Sequence, residues 1–488
     1  MAKAVVIGSG IGGIAAAIRL AVKGYEVTVL EAFEQPGGKL NELRMEGYRF
    51  DMGPSLFTLP EEVDALFALA DEKVEDHFNY EPLEVITKYF YPDGSTLTAW
   101  QEVERLAREI EEKTTDSADT FKAFLRYSEK IYDLTKDTFL FRSLHKVNTY
   151  TTPEVRKALF NVHKLDLMRT MHQAIAAQFK DPRLVQLFDR YATYNGSNPY
   201  QAPATLNVIP HLEHNIGAFF PTKGMYDITR SLVALAERQG VTFHYQTPAK
   251  RIQHNGGRVN GVEIPDQVLP ADVVVSDVDV TKVYAKLLPD VKIAKRYIKQ
   301  PKSSSAMIFY WGMDRSFPTL DLHNIFFTSD YRQEFNQIFK EKGFNSDPTV
   351  YVFISSKVVE GDAPVGGENW FVMINVPHND GQDWDQLVAL EREAITNKLS
   401  QQLGVSVADH ITCEHVLDPR GIEQRTSSHL GALYGNSSNN KFAAFLRHPN
   451  FSRKVKGLYF TGGSVHPGGG IPLCLASAKI VDQLIANP

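Results

Sequence analysis

Cysteine is almost missing from this chain. Its 488 residues include only Cys413 and Cys474, which permit at most one disulfide. A disulfide framework is therefore excluded, and a reducing compartment is expected. A strong charge of either sign is lacking too: 52 Lys and Arg face 58 Asp and Glu, a formal net charge of −6. That mild acidity speaks against a general nucleic-acid binder, and no nucleic-acid partner is expected. There is no apolar run of the roughly 20 residues that a membrane-spanning helix needs. The longest stretch, from Ala4 to Ile18, is broken by Ser9 and carries Gly8, Gly10, Gly12 and Gly13. It has neither a basic leader nor a small-residue cleavage site, so no signal peptide is expected. Repeats and low-complexity segments are missing, as are Ser–His–Asp, Cys–His and metal-spaced clusters; no metal is expected.

What is present is apolar material, with glycine in particular places. At 43% hydrophobic and 23% charged, the composition is that of a globular protein with sizeable cores. The length suggests roughly three compact units. The run Lys3 to Ile7 reads as a buried strand, followed by a glycine loop, a helix from Ile11 to Lys23 ending at Gly24, and a strand from Glu26 to Leu30. This βαβ opening belongs to a parallel, doubly wound sheet. Helical periodicity with many charges runs from Pro60 to about Phe179, interrupted near Leu83 to Trp100 by a strand–turn–strand pattern around Pro92-Asp93-Gly94. A further helix-then-strand unit covers Met225 to Arg251, and Ala271 to Asp277 reads as another buried strand. Between Ser303 and Pro377 strand-like runs follow one another mostly without helix-length crossovers, the mark of antiparallel pairing. A strand, a glycine loop and a helix from about Leu473 to Leu484 close the chain. The expected fold is α/β. A Rossmann-like nucleotide-binding domain is built from discontinuous segments (1–85, 220–300 and 410–488), beside a mixed or antiparallel sheet domain (86–100 and 301–409) and a helical region (101–219).

Gly8-Ser9-Gly10-Ile11-Gly12-Gly13 fits G-x-G-x-x-G between a strand and a helix. Gly8 permits the tight turn, Gly10 removes a side chain where a pyrophosphate approaches, and Gly13 allows close helix–strand packing. Phosphates would accept from backbone N–H groups at the helix N-terminus, where the dipole favours them. Glu31, at the end of the second strand, supplies the carboxylate expected for ribose hydroxyls. Together these features point to a bound dinucleotide.

A second glycine pair follows that acid, in Gln35-Pro36-Gly37-Gly38-Lys39, and after it comes Gly47-Tyr48-Arg49-Phe50-Asp51-Met52-Gly53-Pro54-Ser55. Near the C-terminus stands Gly457-Leu458-Tyr459-Phe460-Thr461-Gly462-Gly463-Ser464-Val465-His466-Pro467-Gly468-Gly469-Gly470-Ile471. The middle holds Arg190-Tyr191-Ala192-Thr193-Tyr194-Asn195-Gly196-Ser197, Pro199-Tyr200-Gln201-Ala202-Pro203 and Pro221-Thr222-Lys223-Gly224-Met225. With these motifs the chain resembles, over nearly its whole length, the carotenoid desaturases of bacterial phytoene desaturase type, FAD enzymes of the amine oxidase superfamily. The middle motifs are most similar to the 1-hydroxycarotenoid 3,4-desaturase branch, with phytoene or diapophytoene desaturase as the alternative. A carotenoid isomerase or saturase relative, an amine oxidase and a non-catalytic carotenoid carrier stand further off. Two positions depart from the family pattern: Val465 stands where Thr is usual, and Leu473 where Gly is usual.

The resemblance implies an FAD-dependent oxidoreductase that introduces a C=C bond into a long acyclic or monocyclic carotenoid by hydride transfer to flavin N5. Oxygen or a quinone would take the electrons onward. The implied cofactor-binding set is Gly8, Ser9, Gly10, Ile11, Gly12, Gly13, Glu31, Ala32, Gly37, Gly38, Lys39, Gly53, Pro54, Ser55, Ala249, Gly462, Gly463, His466, Pro467, Gly469, Gly470 and Ile471. His466, beside the last glycine loop, is the candidate catalytic base. Tyr191, Tyr194, Tyr200, Phe309, Tyr310 and Trp311 are the candidate lining of an apolar substrate tunnel. A water-insoluble carotenoid implies a lipid surface as partner, with the protein peripheral or monotopic on the cytoplasmic face of a membrane. Two segments offer themselves for that contact. One is Val155 to Phe179, with Leu159, Phe160, Leu165, Met168, Met171 and Ile175; the other is Phe139, Leu140 and Phe141 beside Arg142.

Overall fold

The computed structural model describes residues 1–136, 140–152, 155, 165–440 and 443–488. Five parallel strands form one sheet in the order Leu458–Phe460, Val273–Ser276, Lys3–Ile7, Glu26–Leu30 and Thr242–His244. Neighbours in this sheet come from three distant stretches of chain, as the discontinuous reading expected. Its inner strands are apolar on both faces because both are covered, whereas the edge strand Thr242–His244 is largely exposed. Ala4, Val6, Val27 and Val29 join the core that contains the helix Ile11–Val22. That helix packs against the helices Ile471–Leu484 and Tyr226–Arg238. Val5, Ile7 and Val274 point the other way, onto Ile252, Val259 and Val262 of a three-stranded antiparallel meander.

The second sheet has seven strands in the order Ile411–Leu417, Ser305–Met313, Glu368–Val376, Val350–Phe353, His323–Phe326, Val85–Phe90 and Thr96–Trp100. All pairings are antiparallel except His323–Phe326 with Val85–Phe90, so the sheet is mixed. The two-residue period of a strand splits Ser305–Met313 between two cores. Met307, Phe309, Trp311 and Met313 pack with Trp384, Ile395 and Leu399 of the helix Trp384–Leu403. Ala306, Ile308 and Tyr310 face the parallel-sheet side of the molecule.

Ile411–Leu417 departs from the expected layout, which grouped it with the nucleotide-binding segments. It pairs instead with Ser305–Met313. Without it that fully buried nine-residue strand would carry an open edge of unpaired backbone groups. The membrane segments are also altered. Phe139, Leu159 and Phe160 lie outside the described residues. Leu165, Met171 and Ile175 are buried in the core, whereas Met168 is 83% exposed. Among the described residues no helix is long and apolar enough to cross a membrane.

Candidate active site

A cavity of about 930 Å³ runs from the first glycine loop to the face of the mixed sheet that carries Ala306 and Ile308. Gly8, Gly10, Ile11, Gly12, Glu31, Ala32 and Ala249 line its loop end. Gly13 lies behind that wall, where a Cβ would come within 2.2 Å of the Gly8 carbonyl oxygen, so the helix sits directly on the turn. Ser9 is buried too. Its backbone N–H and hydroxyl donate to Glu31 Oε2 at 2.9 and 2.5 Å, and the Phe33 N–H donates to Oε1 at 3.0 Å. Three donors fix the carboxylate, which keeps one lone pair, on Oε1, for a hydroxyl in the cavity. The helix Ile11–Val22 has no acidic residue in its first turn and no side-chain cap from Gly10; the Asp277 carboxyl accepts the Gly13 N–H, which leaves Ile11 and Gly12, both lining the cavity, to offer N–H groups to phosphate oxygens.

Asp277 was not singled out from the sequence, yet it borders the same space. A Cβ on Gly10 would lie 2.2 Å from its Oδ2, and one on Gly12 2.6 Å from its Oδ1. Burial pushes its pKa up to about 7, with the Thr461 hydroxyl, 3.1 Å from Oδ1, opposing that rise. A protonated Asp277 does not repel a phosphate. The signal for it was its place just past a central parallel strand, at the end where ligands of open α/β sheets bind.

Gly37, Gly38, Lys39, Gly53, Pro54, Ser55, Gly462, Gly463, Gly469, Gly470 and Ile471 line the middle of the cavity. Here two glycine segments cross, and a Cβ on Gly53 would stand 1.8 Å from the Lys39 carbonyl oxygen. The Lys39 ammonium donates to the Leu433 carbonyl at 2.6 Å, and burial lowers its pKa. Arg49 and Asp51, from the same motif as Gly53, brace it from behind. The Arg49 guanidinium contacts Asp51 at 2.6 Å, Glu42 at 2.9 Å and Asp362 at 3.0 Å. Asp51 accepts the Met225 and Tyr226 N–H groups, both at 2.9 Å, at the start of the helix Tyr226–Arg238. A loop end, a crossing of glycine backbones and an anchored carboxylate along one cavity fit an extended dinucleotide such as FAD.

His466 and Pro467 are corrected: neither lines the cavity. The His466 ring is 1% exposed, and its Nε2–H donates to the Arg142 carbonyl at 2.9 Å. Burial pushes its pKa down to about 3. The loop turns this side chain away from the space that its glycines border, so His466 is not placed to act as a base there.

At the mixed-sheet end the walls are Ala306, Ile308, Ile325, Phe371 and Met373. Of the six aromatic tunnel candidates only Tyr194 lines the cavity. Phe309 and Trp311 belong to the opposite face of their strand. Tyr310 faces inward, but its hydroxyl donates to the Met52 carbonyl at 3.0 Å and its ring packs edge-on against Phe50 and Phe371. The Tyr191 hydroxyl donates to Glu213 at 2.7 Å, and Tyr200 packs between His172 and Arg332. Arg190, His323 and Tyr351 line this end without having been singled out.

The dinucleotide loop, the parallel sheet and a deep apolar chamber on a mixed sheet define a flavin-dependent oxidoreductase. Residues 11–485 match the flavin-containing amine oxidoreductase family, and the chain belongs to that family. It is 48% identical over 487 residues to the 1-hydroxycarotenoid 3,4-desaturase of Flavobacterium sp. (strain P99-3), covering 100% of this chain and 99% of the relative. It is 31% identical to the phytoene desaturase of Fusarium fujikuroi, over 99% of this chain and 88% of that one. Among solved structures, an oxidoreductase from Methanosarcina mazei superposes with a TM-score of 0.67 at 15% identity, covering 99% of this chain and 100% of the other. That last likeness is one of fold.

Proposed function

We propose that this chain is an FAD-dependent carotenoid desaturase that forms the 3,4 double bond of a 1-hydroxylated carotenoid. The observation that carries this reading is the continuity of the cavity, which joins the dinucleotide loop to a chamber walled mainly by apolar side chains. The 48% identity to a 1-hydroxycarotenoid 3,4-desaturase along the full chain supports the choice of bond. Bound FAD supplies the two-electron oxidant.

The chain's own residues bind, orient and exclude water. Glu31 holds a ribose hydroxyl, and the N-terminus of the helix Ile11–Val22 holds phosphates. Gly37 to Lys39, Gly53 to Ser55 and Gly469 to Ile471 wall the ring system. Ala306, Ile308 and Ile325 press a CH₂–CH₂ unit of the substrate against it in a dry site. With bulk water kept out, loss of the second hydrogen as a proton needs a weak base. Burial pushes the Cys474 thiol in this wall up to about 12, so it stays neutral. An amine substrate is disfavoured, because Glu213 is taken up by Arg190, Tyr191 and Tyr194 and is not free for a protonated amine. The segments 1–85, 220–300 and 418–488 serve the cofactor, and the mixed sheet serves the substrate. The protein draws its carotenoid from a membrane surface that it touches peripherally, near the exposed Met168, and oxygen or a quinone reoxidises it.

The test is product analysis with purified holoprotein and liposomes carrying either a 1-hydroxycarotenoid or phytoene. Conversion of the hydroxylated substrate to a product two hydrogens lighter, unsaturated at the 3,4 position, is expected. Conversion of phytoene alone would contradict the reading and favour a phytoene desaturase.

A further inference from the structure

The mixed-sheet end of the cavity is more polar than a hydrocarbon needs. Arg190, Tyr194, His323 and Tyr351 all line it, beside Ala306 and Ile308. His323 Nδ1 lies 2.8 Å from the Tyr351 hydroxyl, which lies 2.6 Å from Ser55 Oγ, while His323 Nε2 is buried with no hydrogen-bond partner. Arg190 donates to the hydroxyls of Tyr89 at 2.8 Å and Tyr194 at 3.2 Å and pairs with Glu213 at 3.5 Å, yet its Nε is also buried without a partner. Buried groups left unpaired cost folding free energy, and a native site that keeps them calls for an explanation.

We infer that His323, backed by Tyr351 and Ser55 and flanked by Arg190, is a specificity site for a hydroxyl group near the end of the polyene chain. Charge favours a neutral ligand: Arg190 is balanced by Glu213, and burial keeps the His323 imidazole uncharged. The relay can run in either direction. If Tyr351 donates to His323, then Nε2–H donates; if Tyr351 donates to Ser55, then Nε2 accepts. An alcohol, being donor and acceptor at once, matches both.

This inference rests on the reading of the chain as a desaturase of 1-hydroxylated carotenoids, and it explains how one bond is chosen. A polyene repeats along its length, so an apolar tunnel alone leaves its register free. Carbon C1, which bears the hydroxyl, is separated from the reacting C3 by one methylene carbon, so a group that pins the hydroxyl must sit beside the reacting bond. Ser55, at the end of the relay, follows Gly53 and Pro54 on the cofactor wall.

The test compares binding of a 1-hydroxycarotenoid and its matched carotenoid without the hydroxyl to detergent-solubilised holoprotein, read from the shift of the carotenoid absorption band. Wild type is expected to prefer the hydroxylated ligand by about tenfold or more. His323→Phe is expected to erase most of that preference, and Tyr351→Phe part of it, by weakening the hydroxylated ligand more than the other. Should His323→Phe lose its flavin, Tyr351→Phe carries the comparison. A preference that survives in the variants, or equal weakening of both ligands, overturns the site. A desaturation assay on the same proteins separates the two ideas. Formation of the 3,4 bond with an unaltered preference in His323→Phe removes the site and leaves the proposed reaction. A histidine-dependent preference with no 3,4 product removes the reaction and leaves the site.

Discussion

The two ends of the cavity are held in different ways. At the cofactor end backbone meets backbone: Gly13 rests on the Gly8 carbonyl and Gly53 on the Lys39 carbonyl, with no room for a methyl group in either place. At the substrate end side chains from four separate stretches of chain meet, as Ser55, Arg190, His323 and Tyr351 border one space. The cofactor end is therefore intolerant of added atoms, whereas the substrate end depends on particular polar atoms and should change its preference before it loses its shape. Substitutions at the two ends should fail in opposite ways.

The largest effect is expected for Gly53→Ala. A methyl placed 1.8 Å from a carbonyl oxygen forces two backbone segments apart, so the variant should lose flavin and melt well below wild type. Purification without yellow colour and a lowered Tm would show it; full flavin occupancy would break the contrast between the two ends. Next comes Arg49→Ala, which leaves Asp51, Asp362 and Glu42 without their common cation. A loss of about 3–5 kcal/mol is expected for such a buried pairing, read from denaturant unfolding.

Smaller and pH-dependent is Asp277→Asn. Burial holds the Asp277 carboxyl protonated up to about 7 in the folded chain, while in the unfolded chain it ionises in the ordinary carboxylate range. The folded state thus binds the extra proton between those limits. Its contribution to stability is complete at low pH and is lost as pH rises through about 7. Asn does not titrate, so above pH 7 apoprotein carrying Asp277→Asn should be more stable than wild type by an amount on the order of a few kcal/mol, the gap closing toward pH 4. Thermal unfolding across that range checks it, and a constant gap would show that Asp277 does not titrate there.

The same contrast explains what could be read from the sequence. The first glycine loop and its acid are written locally: the strands Lys3–Ile7 and Glu26–Leu30 and the glycines between and after them lie within about fifty residues, while Ala249, Asp277 and the loop Gly462 to Ile471 join them from far along the chain. The substrate end is written across the chain. Phe309, Tyr310 and Trp311 are adjacent in sequence, but a strand sends neighbours to opposite faces, and nothing local says which face meets the cavity. His323–Phe326 is only four residues long and lacks an alternating pattern, so the histidine it carries gave no signal. His466 shows the converse, since closeness to a glycine loop in sequence did not bring its ring to the space that the loop borders.

The most direct measurement is anaerobic mixing of holoprotein with a 1-hydroxycarotenoid and, separately, with its matched carotenoid lacking the hydroxyl, following the flavin absorbance. Bleaching with the hydroxylated carotenoid, much faster than with its partner and accompanied by 3,4-unsaturated product, is the predicted result. A flavin that stays oxidised with both, or bleaches equally with both, would contradict a desaturase that selects the hydroxylated chain.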